Sequence, residues 1–440
     1  MRIIPMEHRD IIASSDFDAD IEEAGEDTYI WSVMLPLCMS LMFGFSSCND
    51  NELPVRPERD LVPASFSVEV EGETGTRLSF GDKDIKMNWE VGDQIKLYDG
   101  CSSPHVLEYT STGKFEGSVC QNSSYSDYRA VYPVSATSSY NDVTIGATQT
   151  AVNGSFDKAS VPMIAYAPEK NKLSFNRAFS LLKITVPAGY SKIVVSDYNA
   201  SGNASYLSGA ATLTYNSEVS VVKNSGTSSV TLVPSSGTEI AGGTYYLSVF
   251  PCNLTGLQLS CYKGDEIFFK CKAENSAIAR NKVIKIGDLT NSNWSFTCEA
   301  FKITPSGSSR SYYLADRNLG ATNTSDSGNS YKQSQFTTST PTSVWGPGWR
   351  LPYRLELKDW ADMIHLSTSG DIAVTGGDYP NIYFPLCPYW GFEADGSQVT
   401  YLSLYKTDEG TYTEYIPGEY TPVTDSYTAS IRPVFIVPAP

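Results

Sequence analysis

Few side chains in this 440-residue chain could make or break bonds. The three histidines, His8, His105 and His365, argue against a His-rich metal site and against His-dependent catalysis. Nine cysteines are present without a CxxC, so neither a thioredoxin-like redox motif nor a zinc knuckle is indicated. The acids Asp371, Asp378, Glu393, Asp395, Asp408 and Glu409 are scattered, whereas Ca2+ needs about six to eight convergent oxygens. No catalytic residue, metal ligand or cofactor is assigned, and the chain is read as a non-enzyme.

One constellation suits recognition. Between Tyr379 and Tyr427 aromatic residues recur among Gly, Asp and Thr. Tyr and Trp offer rigid, amphipathic contact area at low entropic cost. Tyr389, Trp390, Phe392, Tyr412, Tyr415 and Tyr420 lie in turn-rich text and are expected partly exposed on one face, as a ligand-binding surface. Arg77, Trp89 and Asp93 read as structural instead. Trp89 and Ile95 are expected in a core, with Gly92-Asp93 as a turn whose carboxylate bonds local backbone.

Charge narrows the partners. Lys+Arg 32 against Asp+Glu 49 gives a net −17, which argues against a nucleic-acid backbone binder. A mean hydropathy of −0.22 excludes a polytopic membrane protein. One apolar run stands out, Tyr29–Phe45, followed by Gly44-Phe45-Ser46-Ser47-Cys48. It is short for a membrane span of about 20 residues and has the form of a signal-peptide core. Small residues before a cysteine resemble a bacterial lipobox, which implies lipidation at Cys48. The n-region departs from that pattern, with two basic and nine acidic residues in positions 1–28. Acidic residues just after Cys48 resemble the surface-export signals of Bacteroidetes lipoproteins. The Pro-rich, charged stretch that follows reads as a tether, where Arg56 and Arg59 are the expected sites of protease cleavage and Arg77 the alternative. Beyond Cys38 and Cys48 seven cysteines remain, an odd number, and their pairing is open.

The elements that position these residues are mostly strands. From Ser65 to about Thr290, short β-branched and aromatic runs are separated by turn residues: Ser65–Val70, Lys192–Val195, Ala211–Tyr215, Ser229–Val233, Tyr245–Phe250, Leu257–Tyr262 and Ile267–Lys270. The last two read as a hairpin turning at Gly264-Asp265. Thr76-Arg77-Leu78-Ser79-Phe80 and Met87–Ile95 (MNWEVGDQI), then Tyr128–Pro133, Thr144–Asp157, Pro162–Tyr166, Phe175–Val186 and Gly242–Val249, follow one another in an order that resembles the Bacteroidales fimbrillin family. The resemblance implies two β-sandwich domains, export as a lipoprotein, and assembly by strand exchange. In such assembly a protease removes an N-terminal segment, and the vacated groove takes a strand from the next subunit.

From about Phe296 the text changes. Tyr313–Thr322 (YLADRNLGAT), Trp345–Pro352 (WGPGWRLP), Asn381–Pro385 (NIYFP) and Ala429–Val434 (ASIRPV) together resemble the Fibrobacter-type major paralogous domain, a C-type-lectin-like module. Tyr353–Ser367 is expected as a helix with Leu357, Trp360 and Ile364 on its apolar face. Tyr353 stands where that family has Ser or Thr, so a capping hydroxyl is missing. Trp349 is expected in the core, with Arg350 and Arg432 bridging carboxylates such as Glu356. Calcium-binding lectin motifs and the paired cysteines of formylglycine-generating enzymes are absent.

These readings give a mainly β fold of two fimbrillin-like β-sandwich domains plus a C-terminal C-type-lectin-like α+β domain. The expected divisions are a leader over 1–47, a tether over 48–63, sandwiches over 64–167 and 168–294, and the lectin-like domain over 295–440. The expected function is a fimbrial (pilus) subunit, a tip adhesin at the bacterial outer membrane or cell surface. Its partners are other pilus subunits through donor-strand exchange, the membrane through a lipid anchor, and a glycan or host surface protein. The alternative is a surface lipoprotein that binds glycan or host protein without polymerising.

Overall fold

Alternating apolar and polar residues set the first strands. The computed structural model describes residues 60–71, 89–120, 128–136, 139–197, 205–216, 218–272, 276–304, 311–324, 326–332, 340–345, 348–353 and 355–357, then mainly separate strands up to 435. In the N-terminal part these are β1 (Leu61–Val70), β2 (Gln94–Tyr98), β3 (His105–Tyr109), β4 (Phe115–Cys120), β5 (Arg129–Tyr132), β6 (Asp142–Ile145), β7 (Thr148–Thr150), β8 (Met163–Glu169) and β9 (Lys172–Arg177). Seven of them close into a barrel in the order β1-β4-β3-β2-β5-β8-β9. The first sheet is therefore closed on itself, which leaves no free edge. Its last strand runs to Arg177, beyond the expected boundary at 167, because β8 and β9 are paired neighbours.

The barrel core holds Phe66, Ile95, Leu97, Leu107, Phe115 and Phe175, all buried. Trp89 packs on it half-buried, its ring 5.0 Å from Phe115 and 5.0 Å from Tyr132. The adjoining turn forms as expected. Asp93 accepts the Glu90 N–H at 2.8 Å, and Gly92 adopts φ +97°, a conformation open to glycine. A disulfide links Cys101 and Cys120.

The second part contributes β10 (Ser180–Val186), β11 (Lys192–Asp197), β12 (Ser208–Asn216), β13 (Glu218–Thr227), β14 (Ser229–Val233), β15 (Gly243–Val249), β16 (Cys252–Leu254), β17 (Leu257–Lys263), β18 (Glu266–Lys272), β19 (Ser276–Ile278) and β20 (Val283–Asp288). Leu182, Ile184, Leu247 and Val249 of the β15-β10-β20 sheet pack with Ile193, Val195, Leu232 and Leu259 of β11, β14 and β17. Two inner faces meeting this way make a sandwich. The β17–β18 hairpin turns at Gly264-Asp265, as the sequence predicts. Two N-terminal strands cross over: β6 pairs with β12, and β7 with β14.

The last part holds β21 (Cys298–Ile303), β22 (Tyr312–Ala315), β23 (Tyr331–Lys332), α1 (Thr340–Trp345), β24 (Trp349–Arg350), β25 (Ile364–Leu366), β26 (Ile372–Val374), β27 (Ile382–Phe384), β28 (Tyr389–Phe392), β29 (Val399–Thr407), β30 (Gly410–Ile416), β31 (Thr428–Ala429) and β32 (Val434–Phe435). Pairing of β18 with β21 joins it edge-on to the sandwich, in a nine-stranded sheet β24-β32-β22-β21-β18-β17-β11-β14-β7. The expected boundary at 294/295 is thus crossed by continuous backbone hydrogen bonding.

The helix expected over 353–367 is corrected. Leu355–Leu357 form a helical turn, but Ile364–Leu366 is a strand paired with β26, so His365 lies in a sheet. The spacing of Leu357 and Ile364 fits a helix, yet pairing with β26, which itself pairs with β27, overrides it.

Candidate functional site: the seat of the first strand

β1 occupies an unusual slot. Its first six residues pair antiparallel with β4, from Leu61↔Cys120 to Phe66↔Phe115. Its last four pair in parallel with β9, from Ser67↔Lys172 to Val70↔Phe175. One ten-residue strand therefore completes the barrel between two strands that do not pair with each other.

The residues of β1 explain the seat. Val62, Ala64, Phe66, Val68 and Val70 alternate toward the core; Phe66 and Val70 are buried and the other three half-buried. Phe66 meets Tyr128 edge-on at 5.6 Å. The polar set faces outward. The Ser65 hydroxyl donates to Glu116 at 3.3 Å, and the Ser67 hydroxyl to the Asn171 carbonyl at 3.2 Å. Glu69 accepts from the Ser174 hydroxyl and lies 3.0 Å from Lys172 Nζ. The Ser174 hydrogen bond, then Lys172, hold the Glu69 carboxyl below its ordinary range.

Just past β1 the chain is clamped. The buried Arg177 donates to the Glu71 carbonyl at 2.7 Å. Arg280 grips the Glu71 carboxylate with both terminal nitrogens and donates to the Arg177 carbonyl at 2.8 Å. Chemically, the arrangement is a strand-shaped apolar groove with a backbone ladder on each side. It can hold any strand that repeats the inward alternation of β1.

A second feature is a small cleft of about 60 Å³ lined by residues including Arg129, Tyr140, Tyr166, Asn176 and Tyr215. The Tyr166 and Tyr215 rings lie 4.6 Å apart, and their hydrogen bond is the main cause that pushes the Tyr215 hydroxyl up to about 12. Sequence reading missed this cleft, because its tyrosines come from β8 and β12 and meet only in the fold.

The aromatic set is partly corrected. Tyr389 is fully buried and therefore no exposed ligand contact. Tyr389, Trp390 and Phe392 belong to β28, and Tyr412 and Tyr415 to β30, not to loops. Register pairs Tyr389↔Leu402↔Tyr415 and, one step on, Trp390↔Tyr401. The register also sets Tyr405 opposite Tyr412 in this sheet. Cys48, Arg56, Arg59, Arg77 and Tyr420 lie outside the described residues.

The structural reading of the third part holds where it is described. Trp349 is buried against Phe269 at 4.6 Å. Arg350 makes two bonds to Glu356, at 2.8 and 2.6 Å. Glu356 also accepts the Tyr353 N–H at 2.7 Å, which supplies the acidic half of a capping box where the hydroxyl half is missing. The Tyr353 ring instead stacks under the Arg350 guanidinium at 3.8 Å. Arg432 is buried and donates to the Ala315 carbonyl at 3.3 Å.

Comparison with known proteins gives limited likeness. No family model matches the chain, and no curated protein matches it. Among solved structures, a candidate cell adhesion protein from Bacteroides ovatus ATCC 8483 is similar with a TM-score of 0.34 and 12% identity, over 54% of this chain and 95% of that one. One from Bacteroides thetaiotaomicron VPI-5482 gives 0.30 and 12%, over 51% and 91%. A fimbrial protein from Bacteroides ovatus ATCC 8483 gives 0.24 and 10%, over 86% and 99%. At these scores the likeness carries no weight on function.

Proposed function

We propose that this protein is a non-enzymatic fimbrial subunit that assembles by strand exchange at the β1 seat and presents its C-terminal part to a glycan or host surface protein. The observation that carries the reading is β1 itself. It is one strand with ladders on two separate partners and apolar side chains in a continuous core. Its loss would leave two unpaired edges beside an apolar groove, the state that an incoming strand satisfies. The ordered fimbrillin-like motifs support the same reading, and Cys48 would hold the precursor at the outer membrane.

Exchange needs the strand to be cut free. Arg56 and Arg59 precede Leu61, so cleavage there leaves β1 attached through its C-terminal end. Between Val70 and Trp89 the only arginine is Arg77. Cleavage at Arg77 therefore suits release, and cleavage at Arg56 or Arg59 suits detachment from the membrane tether.

The test is direct. The purified chain is treated with an Arg-specific protease and offered a synthetic peptide of residues 61–70 carrying a fluorophore. Uptake of the peptide by cleaved but not intact protein supports exchange; no uptake after complete cleavage at Arg77 overturns it. The second reading, a surface lipoprotein that never polymerises, draws on the Glu71 clamp, which fastens the chain where β1 would have to leave.

A further inference from the structure

The geometry points to a divalent metal site in the dithiol form of this protein, with Asp99, Cys101, His105 and Cys120 as ligands and Zn2+ as the ion class it suits. One ligand atom from each of the four lies within 4.8 Å of the others. The spacing in sequence is Asp-x-Cys-x3-His, then a cysteine fifteen residues on, which matches no short zinc motif. The fold assembles it: Asp99 follows β2, Cys101 lies in the turn, His105 opens β3 and Cys120 ends β4.

Two edges of the cluster already have the dimensions of a zinc tetrahedron. His105 Nε2 is 3.3 Å from Asp99 Oδ2 and 3.7 Å from Cys120 Sγ. With Zn–N and Zn–O of about 2.0 Å and Zn–S of about 2.3 Å, tetrahedral angles give N···O and N···S edges of roughly 3.3 and 3.5 Å. The Asp99 carboxylate is fully buried; its Oδ1 accepts the Cys101 N–H at 3.1 Å, and its Oδ2, the oxygen facing His105, accepts the Cys120 N–H at 2.7 Å. Such outer bonds fix a ligand's direction. Cys101 and His105 are half-exposed, which leaves an entry path.

The two sulfurs are bonded to each other here, so metal and disulfide exclude one another. A dithiol reductant supplies two electrons and two protons, breaks the Cys101–Cys120 bond and is itself oxidised to a disulfide. Zinc then binds as both thiols release their protons, with His105 neutral and Asp99 ionised.

The experiment uses the full chain with Zn2+ and Co2+ as probes. Protein is reduced with dithiothreitol, freed of reductant anaerobically, loaded with Zn2+, and analysed for metal per chain beside oxidised protein. The expected result is one tightly held zinc in reduced wild type and none in oxidised protein or in Cys101→Ser/Cys120→Ser. Co2+ should show the intense visible bands of a tetrahedral thiolate complex. His105→Ala, with His105→Gln as a second variant should the first not fold, should weaken zinc at least tenfold. Zinc retained by the double serine variant, unchanged affinity in the His105 variants, or an octahedral Co2+ spectrum would overturn the assignment.

Discussion

Arg280 clasps the Glu71 carboxylate across 209 residues of sequence, in a two-pronged contact at the point where β1 leaves the barrel. Both side chains are partly shielded, 20% and 28% exposed. The pair ties the end of β1 to the second part of the chain. Glu71→Gln and Arg280→Ala should each lower stability by about 1 kcal/mol, the upper range for a partly exposed pair with good geometry. Chemical denaturation reads this out. The double variant should cost less than the sum, because both remove one contact.

Protease processing should sort the arginines by consequence. Arg77→Ala should leave β1 with the chain and abolish uptake of the 61–70 peptide, while Arg56→Ala/Arg59→Ala should leave uptake intact. Mass spectrometry of the cleaved N-terminus checks which bond was cut in each case. Normal uptake by Arg77→Ala would move the release site elsewhere.

Docking of β1 should depend on pH through Glu69 and Lys172. The folded Glu69 carboxyl sits below its ordinary 4.5, so its contribution is present above that value and lost as pH falls through the folded value. Lys172 is raised above 10.5, first by its hydrogen bond to Glu69, so its part is present below 10.5 and lost as pH rises through the folded value. Protection of the β1 amides, taken as exchange relative to an unstructured peptide at the same pH, should therefore be highest between these limits and fall below about pH 4.5. Glu69→Gln should flatten the acid limb.

In the C-terminal sheet, Tyr389→Ala should destabilise by about 3 kcal/mol, since it empties a fully buried aromatic site. Under the proposed binding role of the C-terminal part, Trp390→Ala with Tyr412→Ala should reduce attachment of cells to a glycan or protein target while the chain still unfolds cooperatively on heating. Unchanged attachment by that pair would relocate the binding face, with the Tyr166–Tyr215 cleft as the next surface to alter.

Glu356→Ala should cost about 3 kcal/mol in thermal or chemical unfolding. It leaves the Arg350 guanidinium without its carboxylate and the Tyr353 N–H without its cap, in a part of the chain where Glu356 itself is buried. Glu356→Gln should recover part of that loss by keeping the cap acceptor.

Local physics made much of this protein readable from its residues. The two-residue alternation from Val62 to Val70 marks an inward face whatever the partner strands are. Gly92-Asp93 and Gly264-Asp265 turn where short-range backbone chemistry favours turning, and the Arg350–Glu356 pair spans only six residues. Tertiary structure alone decided the rest, because strand partners are chosen by long-range packing. Nothing near β1 announces β9 as its parallel neighbour, a hundred residues on. The edge pairing of β18 with β21 likewise crosses text that reads as a boundary. Ile364–Leu366 carries helix spacing and is a strand because β26 lies beside it. Tyr389 looks exposed amid turn-rich residues and is buried by its place in a sheet. Asp99, Cys101, His105 and Cys120 converge only because β2, β3 and β4 bring their ends together.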